Sequence, residues 1–145
     1  MADRIAVMRN GVISQLGTPE EVYNFPVDRF TAEFLGDINI IESTVTAPGR
    51  ISNALGDFEA GCDIPAGSKV YAAIRPERIS ILPGGTAGAI PATLTGRVFL
   101  GECCEWHFNA AGCGLIVRES APESRAVGSK WALSFDPGHL LVLAD

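Results

Sequence analysis

The stretch Thr93-Leu94-Thr95-Gly96-Arg97-Val98-Phe99-Leu100, followed by Cys104-Glu105-Trp106-His107-Phe108 and then Gly114-Leu115-Ile116-Val117, decides the fold. All three runs are short and rich in β-branched and aromatic residues, which suits pleated, half-buried strands. Alternation places Cys104, Trp106 and Phe108 on one face as a core stripe and turns His107 to the other. Working outward, similar runs occupy residues 38–45, 69–74, 78–82, 130–135 and 140–143. Turn chemistry separates them: Pro48-Gly49, Pro65-Ala66-Gly67, Pro83-Gly84-Gly85 and Asp136-Pro137-Gly138. No helical period interrupts the series from residue 40 onward. The expected architecture is therefore mainly β, a small closed barrel of the OB type.

The first 36 residues read differently. Arg4-Ile5-Ala6-Val7-Met8 and residues 12–16 flank Asn10-Gly11, a pair that tolerates positive φ and so marks a tight hairpin. Thr18-Pro19-Glu20-Glu21 is a helix start, with Thr18 as N-cap, Pro19 at N1 and Glu21 at N3 of a capping box. Pro26 ends that helix. Asp28 caps a second one over residues 29–35, with Phe30 and Phe34 sharing a face and Gly36 as the C′ residue. A hairpin and two short helices cannot hold a core alone. The expected organisation is a remnant of a larger domain at 1–36 and a complete β domain at 37–145.

The bulk numbers narrow the function. The chain has 145 residues and a net charge of −6, from 11 basic and 17 acidic residues. Such an acidic domain gains little from a phosphate backbone, so nucleic acid is not an expected partner, and Trp106 and Trp131 read as core packing rather than as a base-stacking platform. The expected location is the cytosol, since there is no long apolar run and no signal-like start. Cys62, Cys103, Cys104 and Cys113 form no Cys-x-x-Cys pair and read as free thiols. Cys104, His107 and Cys113 match no zinc-finger spacing. Gly84-Gly85-Thr86-Ala87-Gly88 lacks the lysine and helix start of a phosphate loop and reads as a strand connector.

A longer pattern runs through the chain. Ala2-Asp3-Arg4-Ile5-Ala6-Val7-Met8, Gly11, Gln15-Leu16-Gly17-Thr18-Pro19-Glu20-Glu21-Val22-Tyr23, Pro26, Phe30-Thr31-Ala32-Glu33-Phe34-Leu35-Gly36 and Asn39 together resemble the end of the nucleotide-binding domain in ATP-binding subunits of ABC importers. These are the maltose-, polyamine-, iron- and glycerol-phosphate-type importers. Ile74-Arg75-Pro76-Glu77, Gly96-Arg97-Val98-Phe99-Leu100-Gly101 and the segment from Trp131 to Leu143 are similar to the OB-like TOBE domain that follows in that family. Phe34-Leu35-Gly36-Asp37-Ile38-Asn39-Ile40-Ile41-Glu42 looks most like the polyamine branch.

The resemblance implies a regulatory and dimer-stabilising module, with Arg75, Glu77, Asn39 and Arg97 as candidate interface or regulatory residues and Gly36 and Asp37 as an interdomain hinge. Arg75 could pair with a carboxylate across such an interface; alternatively Pro76 merely ends a strand and the charges are solvated. The implied partners are a second copy, the rest of the nucleotide-binding domain and the membrane permease, on the cytoplasmic face of the inner membrane. ATP and magnesium belong to the implied full-length parent. Within these 145 residues there is no phosphate loop, no Walker B carboxylate, no Ser-Gly-Gly-Gln signature and no switch histidine. The expectation is a non-enzymatic fragment without catalytic, cofactor or metal residues of its own. The rival expectation is a stand-alone OB-like module for an oxyanion or other small effector, with Lys69 and Lys130 as its only lysines.

Overall fold

The computed structural model describes residues 3–61, 63–120 and 124–143; Cys62 lies outside them. Strands β1 (Ile5–Arg9) and β2 (Val12–Gly17) form the expected hairpin. Asn10 and Gly11 take φ of 53° and 79° at its turn, the left-handed pair that a two-residue loop with right-handed strand twist requires. Helices α1 (Pro19–Asn24) and α2 (Arg29–Phe34) follow. The Thr18 hydroxyl accepts from the Glu21 N–H at 3.2 Å and donates to the Glu21 carboxylate at 2.9 Å. The Asp28 carboxylate accepts from the Thr31 N–H at 2.8 Å. Both caps are those expected from sequence, and each satisfies a first-turn donor that the short helix cannot pair internally.

The remaining strands are β3 (Asn39–Ala47), β4 (Arg50–Asn53), β5 (Gly56–Glu59), β6 (Lys69–Ile74), β7 (Ile79–Pro83), β8 (Ile90–Phe99), β9 (Cys103–Ala110), β10 (Cys113–Ser120), β11 (Lys130–Phe135) and β12 (Leu141–Leu143). Mainly β architecture is thus correct, but closure is not. Among the described residues the ladders group into two five-stranded sheets, ordered β10-β9-β8-β11-β7 and β12-β6-β3-β4-β5. Sheets of five strands with complementary apolar faces can bury those faces against each other without closing. The pair β4–β5 has no counterpart in the sequence reading. Its anchor is a single fully buried residue, Ile51, set opposite Phe58, and one apolar residue in four leaves no period to read.

The core lies between the sheets. Val45, Ile51, Val70, Ala72 and Ile74 pack from one side against Leu94, Trp106, Phe108, Leu115, Val117 and Leu133 from the other. Trp106 and Phe108 are 1% exposed, so truncating either to alanine would cost about 3–5 kcal/mol. The opposite face of β6 meets the helices: Ala73 and Leu143 bury against Ala32 of α2, with Ile38, Ile40 and Tyr71 packed around them. The helices are therefore docked on the outer face of the β12-β6-β3-β4-β5 sheet. Among the described residues, no helix is long and apolar enough to cross a membrane.

Candidate functional site

Strand parity decides what meets at the junction of helices and sandwich. In β6, Val70, Ala72 and Ile74 face the core while Tyr71 and Ala73 face α2. Arg75 continues the Tyr71–Ala73 series and points to the helices. Pro76 follows, which holds Arg75 extended, with φ −69° and ψ 141°, and begins a single 3-10 turn over Pro76–Arg78.

Arg75 is 4% exposed and reaches no carboxylate among the described residues. Its Nη1 donates to the carbonyls of Ala32, Gly36 and Asp37 at 3.1, 3.2 and 3.3 Å, and its Nη2 to the carbonyl of Tyr23 at 3.2 Å. The guanidinium carbon lies 4.0 Å from the centre of the Tyr23 ring. These carbonyls belong to the last turns of α1 and α2 and to the residues just after α2. Such groups lack intrahelical partners and carry the negative end of the helix dipole. A buried cation is therefore stabilised by two helix C-termini and an aromatic face in place of an anion. Burial lowers the Arg75 pKa, while Tyr23 and Glu77 oppose the shift; an arginine remains charged regardless.

Glu77, exposed on the 3-10 turn, accepts from the Tyr23 hydroxyl at 2.5 Å. Tyr23 is thus gripped at both ends, by Arg75 on its ring and carbonyl and by Glu77 on its hydroxyl. Desolvation, then the hydrogen bond and the charge of Glu77, raise the Tyr23 phenol above its ordinary value of 10.0.

Asn39 opens β3 on its core-facing side and is 6% exposed. Its side chain crosses to the edge of the other sheet. The Nδ2 donates to the Ile116 carbonyl at 2.8 Å, and the Oδ1 accepts from the Ile116 N–H at 2.7 Å. Two residues before it, the Asp37 carboxylate accepts from Arg118 of the same strand at 2.9 Å. Gly36 takes φ of 146°, a conformation that favours glycine and turns the chain off α2. Gly36 and Asp37, read from sequence as the hinge, therefore both have carbonyls held by Arg75, and Asp37 is tied again through its carboxylate.

Of the residues singled out from sequence, the structure brings Gly36, Asp37, Asn39, Arg75 and Glu77 into one joint. Arg97 stands apart, exposed near the tip of the β8–β9 hairpin and opposite Trp106. Tyr23 and Arg118 were missed as members of the joint. Each is unremarkable in its own segment, and only the tertiary register brings it there. Cys104 and Cys113 pair with Glu119 and Ala110 at opposite ends of the β9–β10 ladder and do not converge. Lys130 lines a surface groove with Gly84, Gly85, Thr93 and Asn109, while Lys69 lines another with Glu42, Ser43 and Thr44. The lysines thus offer no shared anion site.

Residues 72–143, just under half of the chain, match the model of the TOBE domain family. The chain as a whole aligns with the C-terminal region of spermidine/putrescine import ATP-binding proteins. It is 37% identical over 155 aligned positions to the spermidine/putrescine import ATP-binding protein PotA 1 of Pseudomonas aeruginosa, with 100% of this chain and 42% of that protein covered. The spermidine/putrescine import ATP-binding protein PotA of Ruegeria pomeroyi is 35% identical, again with 100% of this chain and 42% of that protein covered. Its namesake in Borreliella afzelii is 41% identical, with 99% and 41% covered. The chain thus spans about two fifths of the length of these relatives. In fold it resembles the cytoplasmic molybdate-binding protein ModG in its molybdate-bound form, with a TM-score of 0.63 at 11% identity over 74% of this chain and 96% of that one.

Proposed function

We propose that this chain is the regulatory C-terminal part of an ATP-binding subunit that powers import of a small polyamine of the spermidine/putrescine type. The observation that carries this reading is the extent of the match: the similarity to the import ATP-binding proteins covers 99–100% of the chain, so it includes the hairpin and helices as well as the β sandwich. ATP and magnesium would be bound by the part of those proteins that this chain does not cover. The boundary near Gly36 then separates residues 1–36, the end of the nucleotide-binding domain, from residues 37–145, the regulatory domain.

The surface of the first 36 residues supports the same reading. Val12 is 68% exposed, Phe25 72%, Phe34 63% and Met8 55%. So many large apolar side chains on so short a segment suit an interface within a larger domain. The joint built on Arg75 then has a role. It makes the last helices of the nucleotide-binding domain move with the β sandwich, so that contacts made by the sandwich bear on the ATPase halves. In the whole transporter the partners would be a second copy of the subunit and the permease, on the cytoplasmic face of the inner membrane.

A chimera tests the proposal. The matching C-terminal region of the Pseudomonas aeruginosa relative is replaced by this chain, and spermidine uptake is measured in cells lacking their own ATP-binding subunit. Restored uptake is the expected result. A chimera that assembles with the permease and hydrolyses ATP but gives no uptake overturns the proposal.

A further inference from the structure

The β8–β9 hairpin leaves a contact surface that the sandwich does not use. A bulge between Leu94 and Gly96 shifts the register of β8, after which Arg97 stands opposite Trp106, Val98 opposite Glu105 and Phe99 opposite Cys104. Residues opposite each other share a face. Arg97 and Phe99 therefore lie on the same face of the sheet as the buried Cys104 and Trp106, yet both are exposed. Phe99 is 72% exposed, and Val98 and Leu100 are 44% and 48% exposed. Three consecutive apolar residues in the open, on both faces of one hairpin end, are not explained by the packing of this chain.

We infer that this hairpin end, centred on Phe99, is where two copies of the chain meet, an inference that rests on the dimeric reading of the subunit given above. Charge selects the occupant. Arg97 and Glu102, both exposed, flank the apolar residues, and among the described residues neither has an oppositely charged side chain within salt-bridge distance. A two-fold contact places the same patch on both sides, so the patch must complement itself. One cation and one anion on either side of an apolar centre meet that condition: Arg97 of each copy faces Glu102 of the other while the Phe99 rings pack at the axis.

Sedimentation equilibrium of the full chain, across a range of concentrations, tests the inference. The expected result is a reversible dimer whose dissociation constant rises about tenfold or more in Phe99→Asp, as truncation of a central aromatic anchor does. Arg97→Glu and Glu102→Arg should each weaken the dimer, and the double exchange, Arg97→Glu with Glu102→Arg, should restore it. A dimer indifferent to Phe99→Asp and to the charge exchanges overturns this surface and leaves the dimeric reading standing. A chain that remains monomeric at every concentration overturns both.

Discussion

The side-chain amide of Asn39 is bonded to the main-chain amide of Ile116 in both directions, donating to its carbonyl at 2.8 Å and accepting from its N–H at 2.7 Å. Ile116 lies on β10, the edge strand of its sheet. On an antiparallel edge strand every second residue turns its N–H and C=O outward with no ladder partner. The Asn39 carboxamide supplies such a partner for Ile116 from the other sheet, so a single side chain ties the two sheets together next to the helix joint. Asn39→Ala leaves both groups of Ile116 unpaired at a part-buried site, and its expected cost is about 2–3 kcal/mol. Asn39→Asp keeps the acceptor but sets a carboxylate oxygen against the Ile116 carbonyl, so it should be no better than alanine at neutral pH. Urea unfolding checks this: the midpoint should fall with the slope unchanged.

Arg75→Lys is the informative change at the joint. A lysine carries the same charge but only one nitrogen, whereas the guanidinium serves the Tyr23 carbonyl through one nitrogen and those of Ala32, Gly36 and Asp37 through the other. Its flat face also covers the Tyr23 ring. Charge alone is not the function of this residue, so lysine should recover little of what alanine loses, about 3 kcal/mol for a buried group with several acceptors. Hydrogen exchange locates the damage. Amides of residues 19–38 should lose protection before those of the sandwich strands; uniform loss across both would contradict a local joint.

The caps of both helices, the Asn-Gly turn and most of the strands were legible because each rests on residues adjacent in sequence. Thr18 and Glu21 are three apart, as are Asp28 and Thr31. The end of α2 just before Gly36 was visible as the point where helix signals stop. The joint was legible only as a set of names. Arg75 was recognisable as notable, but its partners are 38 to 52 residues away, and the same sequence allowed a carboxylate partner or none. Closure of the β domain was overcalled for a related reason. Strand runs report their own faces but not which edges pair, and β12 pairs with β6 rather than completing a ring.

Tyr23 gives the joint a dependence on alkaline pH. Its phenol is raised above 10.0, first by desolvation and then by the hydrogen bond and charge of Glu77. The folded state therefore holds this proton more tightly than the unfolded state. Its stabilisation is fully present below pH 10.0, the unfolded value, and is lost as pH rises from there through the higher folded value. Tyr23→Phe should cost about 1 kcal/mol at neutral pH and flatten this alkaline loss. Tyrosinate absorbance during titration, compared between wild type and Tyr23→Phe, gives the phenol value directly. A Tyr23 signal titrating at or below the ordinary value would contradict the geometry.

One residue along β10 from Arg118, Glu119 holds a second buried arginine, Arg125, by different means. Arg125 is 7% exposed, donates to the two oxygens of Glu119 at 2.7 and 3.3 Å, and has its guanidinium carbon 5.0 and 4.9 Å from the ring centres of Trp106 and Trp131. The cation thus caps the aromatic end of the core and needs its carboxylate because it is largely withdrawn from water. Glu119→Ala should therefore cost more than Arg125→Met: it strands a desolvated charge, about 3 kcal/mol or more, whereas the methionine removes the charge and still fills the space between the rings. Arg125→Met should also change the tryptophan fluorescence, since Trp106 and Trp131 lose a charged neighbour together. Thermal unfolding followed by that fluorescence ranks the two variants. If Arg125→Met proved the more damaging, the stabilisation would lie in the cation over the rings rather than in its neutralisation by Glu119.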